Sequence, residues 1–176
     1  MAKTAWIQAS LIAATALLAG NAMAEGAAKG SAIHQNAKGG MTAGSAKGVR
    51  GPNGGAAASA KGVASDGQGN VAGASAAAAK GPGGAAGARA GAFKKNADGS
   101  AAHASGMAAK GANGGTVKSQ GSVTRAADGS VSGDRSTAAT SASGASYQGD
   151  TAYNKGQGVS HTGVCKNAAG QEVSCK

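Results

Sequence analysis

Large apolar side chains crowd the segment 1–24 and then almost disappear. All three leucines (Leu11, Leu17, Leu18), the single Trp6, and Ile7 and Ile12 lie there, and no leucine follows. Lys3, the apolar run from Ala5 to Gly20 and the small-x-small triplet Ala22-Met23-Ala24 predict a secretory signal over 1–24, cut between Ala24 and Glu25. Its short, Ala-rich form points to a bacterial source. No later stretch is apolar enough to span a membrane.

Beyond this segment the pattern is one of small residues punctuated by turns. The strings Gly51-Pro52-Asn53-Gly54-Gly55, Gly81-Pro82-Gly83-Gly84 and Gly111-Ala112-Asn113-Gly114-Gly115 begin at 51, 81 and 111, a period of 30, and Ala-Asp-Gly-Ser recurs at 97–100 and 127–130. Gly-Pro-Asn-Gly suits a tight turn with φ set by proline, whereas x-Ala-Asp-Gly suits a type I turn closed by a left-handed glycine. The two turn signals alternate, at 82 and 98 and again at 112 and 128, and the interval leaves room for strands of about ten residues. Phe93 to Gly99, Val123 to Gly129 and Val164 to Gly170 share one template and read as three hairpins of one design. Short motifs also recur before residue 115, Ser-Ala-Lys-Gly-Val at 45–49 and 59–63 among them. Helix is disfavoured in the Ala-rich stretches, because their runs fall short of the roughly 12–15 residues an isolated helix needs and glycine interrupts them.

Composition then argues against a packed interior. After Ala24 the Leu, Ile, Val and Phe side chains are only Ile33, Phe93 and the valines 49, 63, 71, 117, 123, 131, 159, 164 and 173. That is well under the roughly 20% below which chains stay disordered, and ordering each residue costs about 1–2 kcal/mol of backbone entropy. The expected fold is therefore a largely disordered, low-complexity Gly/Ala/Ser-rich chain without a globular core. A repetitive β-hairpin or β-meander tendency is expected in the C-terminal third, where Val, Thr, Ser and Tyr become denser. The expected organisation is a signal peptide over 1–24, a cationic repeat region over 25–115 and a β-prone tail over 116–176 ending in a stapled hairpin.

Charge gives the chain its partners. The formal net charge is +10, and Lys29, Lys38, Lys47, Arg50, Lys61, Lys80, Arg89, Lys94, Lys95 and Lys110 face only Glu25, Asp66 and Asp98 within 25–115. These ten cations are the candidate contacts to an anionic polymer: acidic polysaccharide, lipopolysaccharide or extracellular DNA, bound without sequence specificity and with strong salt dependence. Phe93, Tyr147 and Tyr153 are too scattered to stack bases. Self-association of the repeats is the other interaction expected.

Few groups suggest chemistry. Cys165 and Cys175 are the only cysteines, and in an exported chain they are expected to form a disulfide. In the hairpin register Lys166 faces Glu172, Cys165 faces Val173 and Cys175 faces Gly163, so the two sulfurs share a face on a diagonal. His34, His103 and His161 lack metal-ligand spacing, and Gly67-Gln68-Gly69-Asn70-Val71-Ala72 neither follows an apolar strand nor opens a helix, as a nucleotide loop would. No cofactor, metal or catalytic residue is expected, and the chain is not read as an enzyme, since catalysis needs groups held by a packed shell.

The segment Gln68 to Ala72 is similar to the Gln/Gly/Asn/Ala repeats of secreted amyloid subunits such as curli, and the Gly/Ala bias is similar to silk-type proteins in composition. This resemblance implies a class, exported repetitive structural proteins, and carries over no functional residue. The function expected is that of a structural or interaction protein of a bacterial surface or extracellular matrix. The alternative is a small secreted cationic toxin or antimicrobial effector with a stapled C-terminal hairpin.

Overall fold

A computed structural model describes residues 25–35 and 39–175. The segment 1–24 expected to be a signal peptide, with the Ala24 side of the expected cleavage point, and Lys38 lie outside the described residues. Eleven strands follow one another in the order β1 (Gly26–Gln35), β2 (Met41–Arg50), β3 (Ala56–Ser65), β4 (Val71–Lys80), β5 (Ala86–Lys95), β6 (Ala101–Lys110), β7 (Thr116–Arg125), β8 (Val131–Thr140), β9 (Ser146–Asn154), β10 (Gly158–Lys166) and β11 (Glu172–Val173). They form one antiparallel sheet in which each strand pairs with its neighbours in sequence. Strands of ten residues are about 34 Å long, and the sheet extends about 48 Å across them.

The expectation of a largely disordered chain is overturned. Strand is not confined to the C-terminal third but begins at Gly26, and the ladder crosses residue 115 with β6 and β7 paired along their whole length. Demanding that buried apolar surface offset the ordering of every residue left out two terms. Alanine and glycine have almost no side-chain entropy to lose, and in a meander each interior strand satisfies its backbone groups against both neighbours. Order is thus assembled from nearest-neighbour pairings, as in repeat proteins. The sheet is a single layer: each strand touches only those before and after it, and no hydrophobic side chain among the described residues is buried.

One turn geometry recurs between most of the strands. In the turn 51–55 the N–H of Gly51 donates to the carbonyl of Gly55, and the N–H of Gly54 donates back to Gly51; the same pair of bonds recurs in 81–85, 96–100, 111–115, 126–130, 141–145 and 167–171. The Gly-Pro-Asn-Gly and Ala-Asp-Gly strings, which read as different turns, therefore fold alike. Position four must adopt positive φ, and glycine stands there at 39, 54, 69, 84, 99, 114, 129 and 144, at one constant interval. The structural unit is thus a single strand plus a single turn, half the period of the sequence repeat.

Turns at the two ends of the sheet differ in chemistry. At one end Asp98 accepts hydrogen bonds from the hydroxyl and N–H of Ser100 at 2.6 and 2.8 Å, Asp128 accepts the Ser130 N–H at 2.8 Å, and Asp66 accepts the Gln68 N–H at 2.8 Å. These bonds hold all three carboxyls below the ordinary aspartate value of 3.8, the leading causes being the side chain of Asn70 for Asp66, the side chain of Ser100 for Asp98 and the backbone of Ser130 for Asp128. A carboxyl whose folded value is depressed contributes stability that is complete above its unfolded value and lost as pH falls through the folded one. The turns 51–55, 81–85 and 111–115 at the other end carry no carboxylate. Amide exchange followed into acid is accordingly expected to show the aspartate end fraying first.

The disulfide is formed as expected. Cys165 and Cys175 are bonded, with Cα atoms 5.4 Å apart, and β11 pairs through Cys165 with Val173 and Lys166 with Glu172. Replacing both cysteines by serine is expected to destabilise the β10–β11 hairpin by about 2–3 kcal/mol. Amide exchange should rise there and stay unchanged in β1 to β8, because stability in a nearest-neighbour array is local.

Candidate polyanion-binding face

Every strand pairing joins residues whose numbers sum to an even value. Odd-numbered residues of the eleven strands therefore share one face and even-numbered residues the other. One structural unit forward reverses parity and two units restore it, which is the physical reason the sequence repeats over two units although the fold repeats over one.

Parity sorts the side chains. Ile33, Met41, Val49, Val63, Val71, Phe93, Met107, Val117, Val123, Val131, Tyr147, Tyr153, Val159 and Val173 are all on the odd face, and Val164 alone of the large apolar residues is on the other. Many stand open to solvent, Ile33 at 76% and Val159 at 70% exposure. Charge is sorted too. Lys29, Lys47, Lys61, Arg89, Lys95, Arg125 and Arg135 lie on the odd face, while no strand residue of that face is acidic. Asp134, Asp150 and Glu172 lie on the even face, and Asp66, Asp98 and Asp128 in turns.

On the odd face these residues form rows that run across the strands. One row includes Val49, Val117 and Tyr147, and another includes Ile33, Val63, Phe93, Val123, Tyr153 and Val159. Between them run two polar rows. The first carries Lys29, Lys47, Ser59, Arg89, Ser119 and Thr137, and the second Ser31, Ser45, Lys61, Ser75, Ser105, Arg135, Thr151 and His161. Their residues on β1 to β6, with Arg135, line a hollow of about 1090 Å³ whose floor is the backbone at Gly30, Ala46, Ala60, Ala76, Ala90 and Gly106. From β1 to β8 this trough is about 34 Å long, and its two polar rows stand about 7 Å apart.

Side-chain bonds set both the depth and the end of the trough. The Arg135 guanidinium donates to Ser119 Oγ at 2.9 Å, and Ser119, 8% exposed, also bonds Thr137 Oγ1 at 2.9 Å. At β9 and β10 the Tyr147 ring lies across Gly149 and Gly163, where a Cβ would collide with it. His161 faces Tyr147 Oη at 3.2 Å through Nε2 and Thr151 Oγ1 at 2.8 Å through Nδ1. The aromatic ring thus covers the trough where the cations end.

No family model matches the chain, and neither the curated proteins nor the solved structures contain a match. The face must be read on its own chemistry.

Of the ten cations singled out in the sequence, Lys29, Lys47, Lys61, Arg89 and Lys95 are on the odd face, and Arg50, Lys80, Lys94 and Lys110 on the even one. Sequence reasoning missed Arg125 and Arg135, which belong to the same face, and the hydroxyl rows between the cations. The parity of residue numbers was the signal that could have found them. The even face of β1 to β6 is nearly featureless: its three central rows, from Ala28 to Ala108, Gly30 to Gly106 and Ala32 to Ala104, hold only alanine and glycine. Among the described residues no group of three His, Cys, Asp or Glu is placed to hold a metal ion, and no helix is long and apolar enough to cross a membrane.

Proposed function

We propose that this is an exported structural or interaction protein of a bacterial surface or extracellular matrix, and that its odd face binds a linear anionic polymer along the trough. The observation that carries this reading is the sorting of seven cations and no carboxylate onto one face of the strands. A cationic surface without acids attracts polyanions from a distance. Rows of serine and threonine hydroxyls between the cations suit the hydroxyl and carboxylate groups of an acidic polysaccharide better than a nucleic acid, for which the face has no stacking platform. The apolar rows on either side give a sugar ring's apolar face something to lie on. An exported, oxidising setting agrees with the disulfide.

Titration against polygalacturonate, with neutral dextran as the control, tests the reading. Binding to the acidic polymer alone, weakening steeply with salt, is expected; absence of binding at low salt would overturn it. The stapled C-terminal hairpin is the one feature that favours the effector alternative, which requires growth inhibition of related cells by the pure protein.

A further inference from the structure

The two edges of the sheet are finished differently. At β10 the segment that carries β11 folds back over Cys165 and Lys166 and is stapled there through Cys175, so part of that edge is covered. Among the described residues nothing covers β1 in this way. It is ten residues long, pairs only with β2 in unbroken register, contains no proline or acidic residue, and is exposed at every position. Natural sheets blunt edges with charge, proline, bulges or a cover; β1 carries a single charge, Lys29, and a long regular edge so lightly defended is a template for another strand.

We infer that β1 is the assembly edge of this protein, joining the β1 of a second copy about a two-fold axis at Gly30. The occupant and register follow from the rows. A two-fold pair perpendicular to the sheet must oppose residues of equal parity to keep each face continuous. Centring the axis on Lys29 would set two ammonium groups directly opposite, each already beside Lys47 in the same row, which destabilises. Centring it on Ser31 opposes Lys29 to Ile33 and runs the cation row into an apolar one. With the axis at Gly30, Lys29 meets Ser31, Ala27 meets Ile33, Ala28 meets Ala32 and Gly26 meets His34. Polar rows then continue into polar rows and apolar into apolar, because the stripes of the odd face are symmetric about the row that contains Gly30. The stapled β11 covers the Cys165–Lys166 end of the opposite edge, which leaves β1 as the longer open edge of the two. The trough of each copy becomes half of one twice as long. This inference stands apart from polymer binding, since a monomer could bind and a dimer could form without doing so.

Gly30→Cys tests the axis, because only a residue on the axis meets its own copy. A Cβ there has nothing within 4 Å, so the variant has room to fold, and a Cα separation across antiparallel strands suits a disulfide. The unsubstituted whole chain, purified as its cells deliver it, is expected to sediment at twice the chain mass. Gly30→Cys is expected to be trapped as a covalent dimer on mild oxidation, with Cys165–Cys175 intact by peptide mapping, while Gln35→Cys remains uncrosslinked. Sedimentation as a monomer at the highest soluble concentration would overturn the inference. So would a dimer in which Gly30→Cys fails to crosslink, or in which Gln35→Cys crosslinks as readily.

Discussion

Replacing Lys29, Lys47, Lys61, Arg89 and Arg135 together by glutamine is expected to weaken binding to an acidic polysaccharide by about 100-fold or more at low salt and to flatten the salt dependence by about four units of slope. All five line the trough between the two apolar rows. The comparison that gives this result meaning is a second set, Lys80, Lys94, Lys110, Lys118 and Lys166 to glutamine, which removes the same charge from the even face. At physiological salt that protein should bind within about threefold of the original, because the Debye length is then about 8 Å and a polymer in the trough lies about 10 Å from cations on the opposite side of the sheet. Equal losses in the two sets would mean that net charge alone drives binding, and the trough would have no role. Isothermal titration at several salt concentrations separates the outcomes. Arg135 is the least interchangeable of the five, since its guanidinium also donates to Ser119, and Arg135→Lys should lose that bond while keeping the charge.

The second large effect comes from deleting repeats. Removing 86–115 takes out two structural units and brings Thr116 opposite Lys80, where Ala86 stood; parity is kept and every downstream residue stays on its face. Removing 86–100 takes out one unit and brings Ala101 opposite Lys80, so that every later residue changes face. Both deletions lose Arg89 and Lys95, which makes them matched. Both should keep their strand content by circular dichroism, because one turn geometry serves both ends of the sheet and each strand answers only to its neighbours. Their binding should diverge. The two-unit deletion is expected to behave like Arg89→Gln with a shorter trough. The one-unit deletion sends Arg125 and Arg135 to the opposite face and brings Asp134, Asp150 and Glu172 onto the trough face together with Lys110, Lys118 and Lys166, which turns a purely cationic stretch of that face into a neutral one, and it should bind about tenfold more weakly. Equal binding by the two deletions would show that sidedness is irrelevant to function.

Much of this architecture was legible in the chain, and the parts that were not have physical reasons. Turn chemistry exposed the ten-residue strands, and the pairing of Cys165 with Cys175 followed from spacing and compartment. Disorder was the wrong expectation because the count of large side chains measures a packed interior, and this fold has a single layer whose order resides in backbone pairing. The one-strand, one-turn unit was hidden because the turns at the two ends use different residues, Gly51-Pro52-Asn53-Gly54 at one and Asn96-Ala97-Asp98-Gly99 at the other, for the same hydrogen bonds. The glycine at position four, from Gly39 to Gly144, is what they share. Sidedness was present as well. Phe93 and Val123 bear odd numbers, and Val164, which resembles them in its hairpin template, bears an even one and lies on the opposite face. Three hairpins of one local design thus do not present their apolar residue to one surface, since the turn 167–171 follows β10 and closes the opposite end of the sheet from the turns 96–100 and 126–130, which follow β5 and β7.

The central claim is that residues 25–115, poor as they are in large side chains, form strands in the same sheet as the tail. Nuclear magnetic resonance of the isotope-labelled protein tests this most directly. The account predicts strand-type chemical shifts through β1 to β6 and cross-strand contacts that include the Phe93 ring with Gly73, Ala76 with Ala90, and Lys61 with Ser75. Random-coil shifts across 26–110, with such contacts confined to β7 to β11, would contradict it.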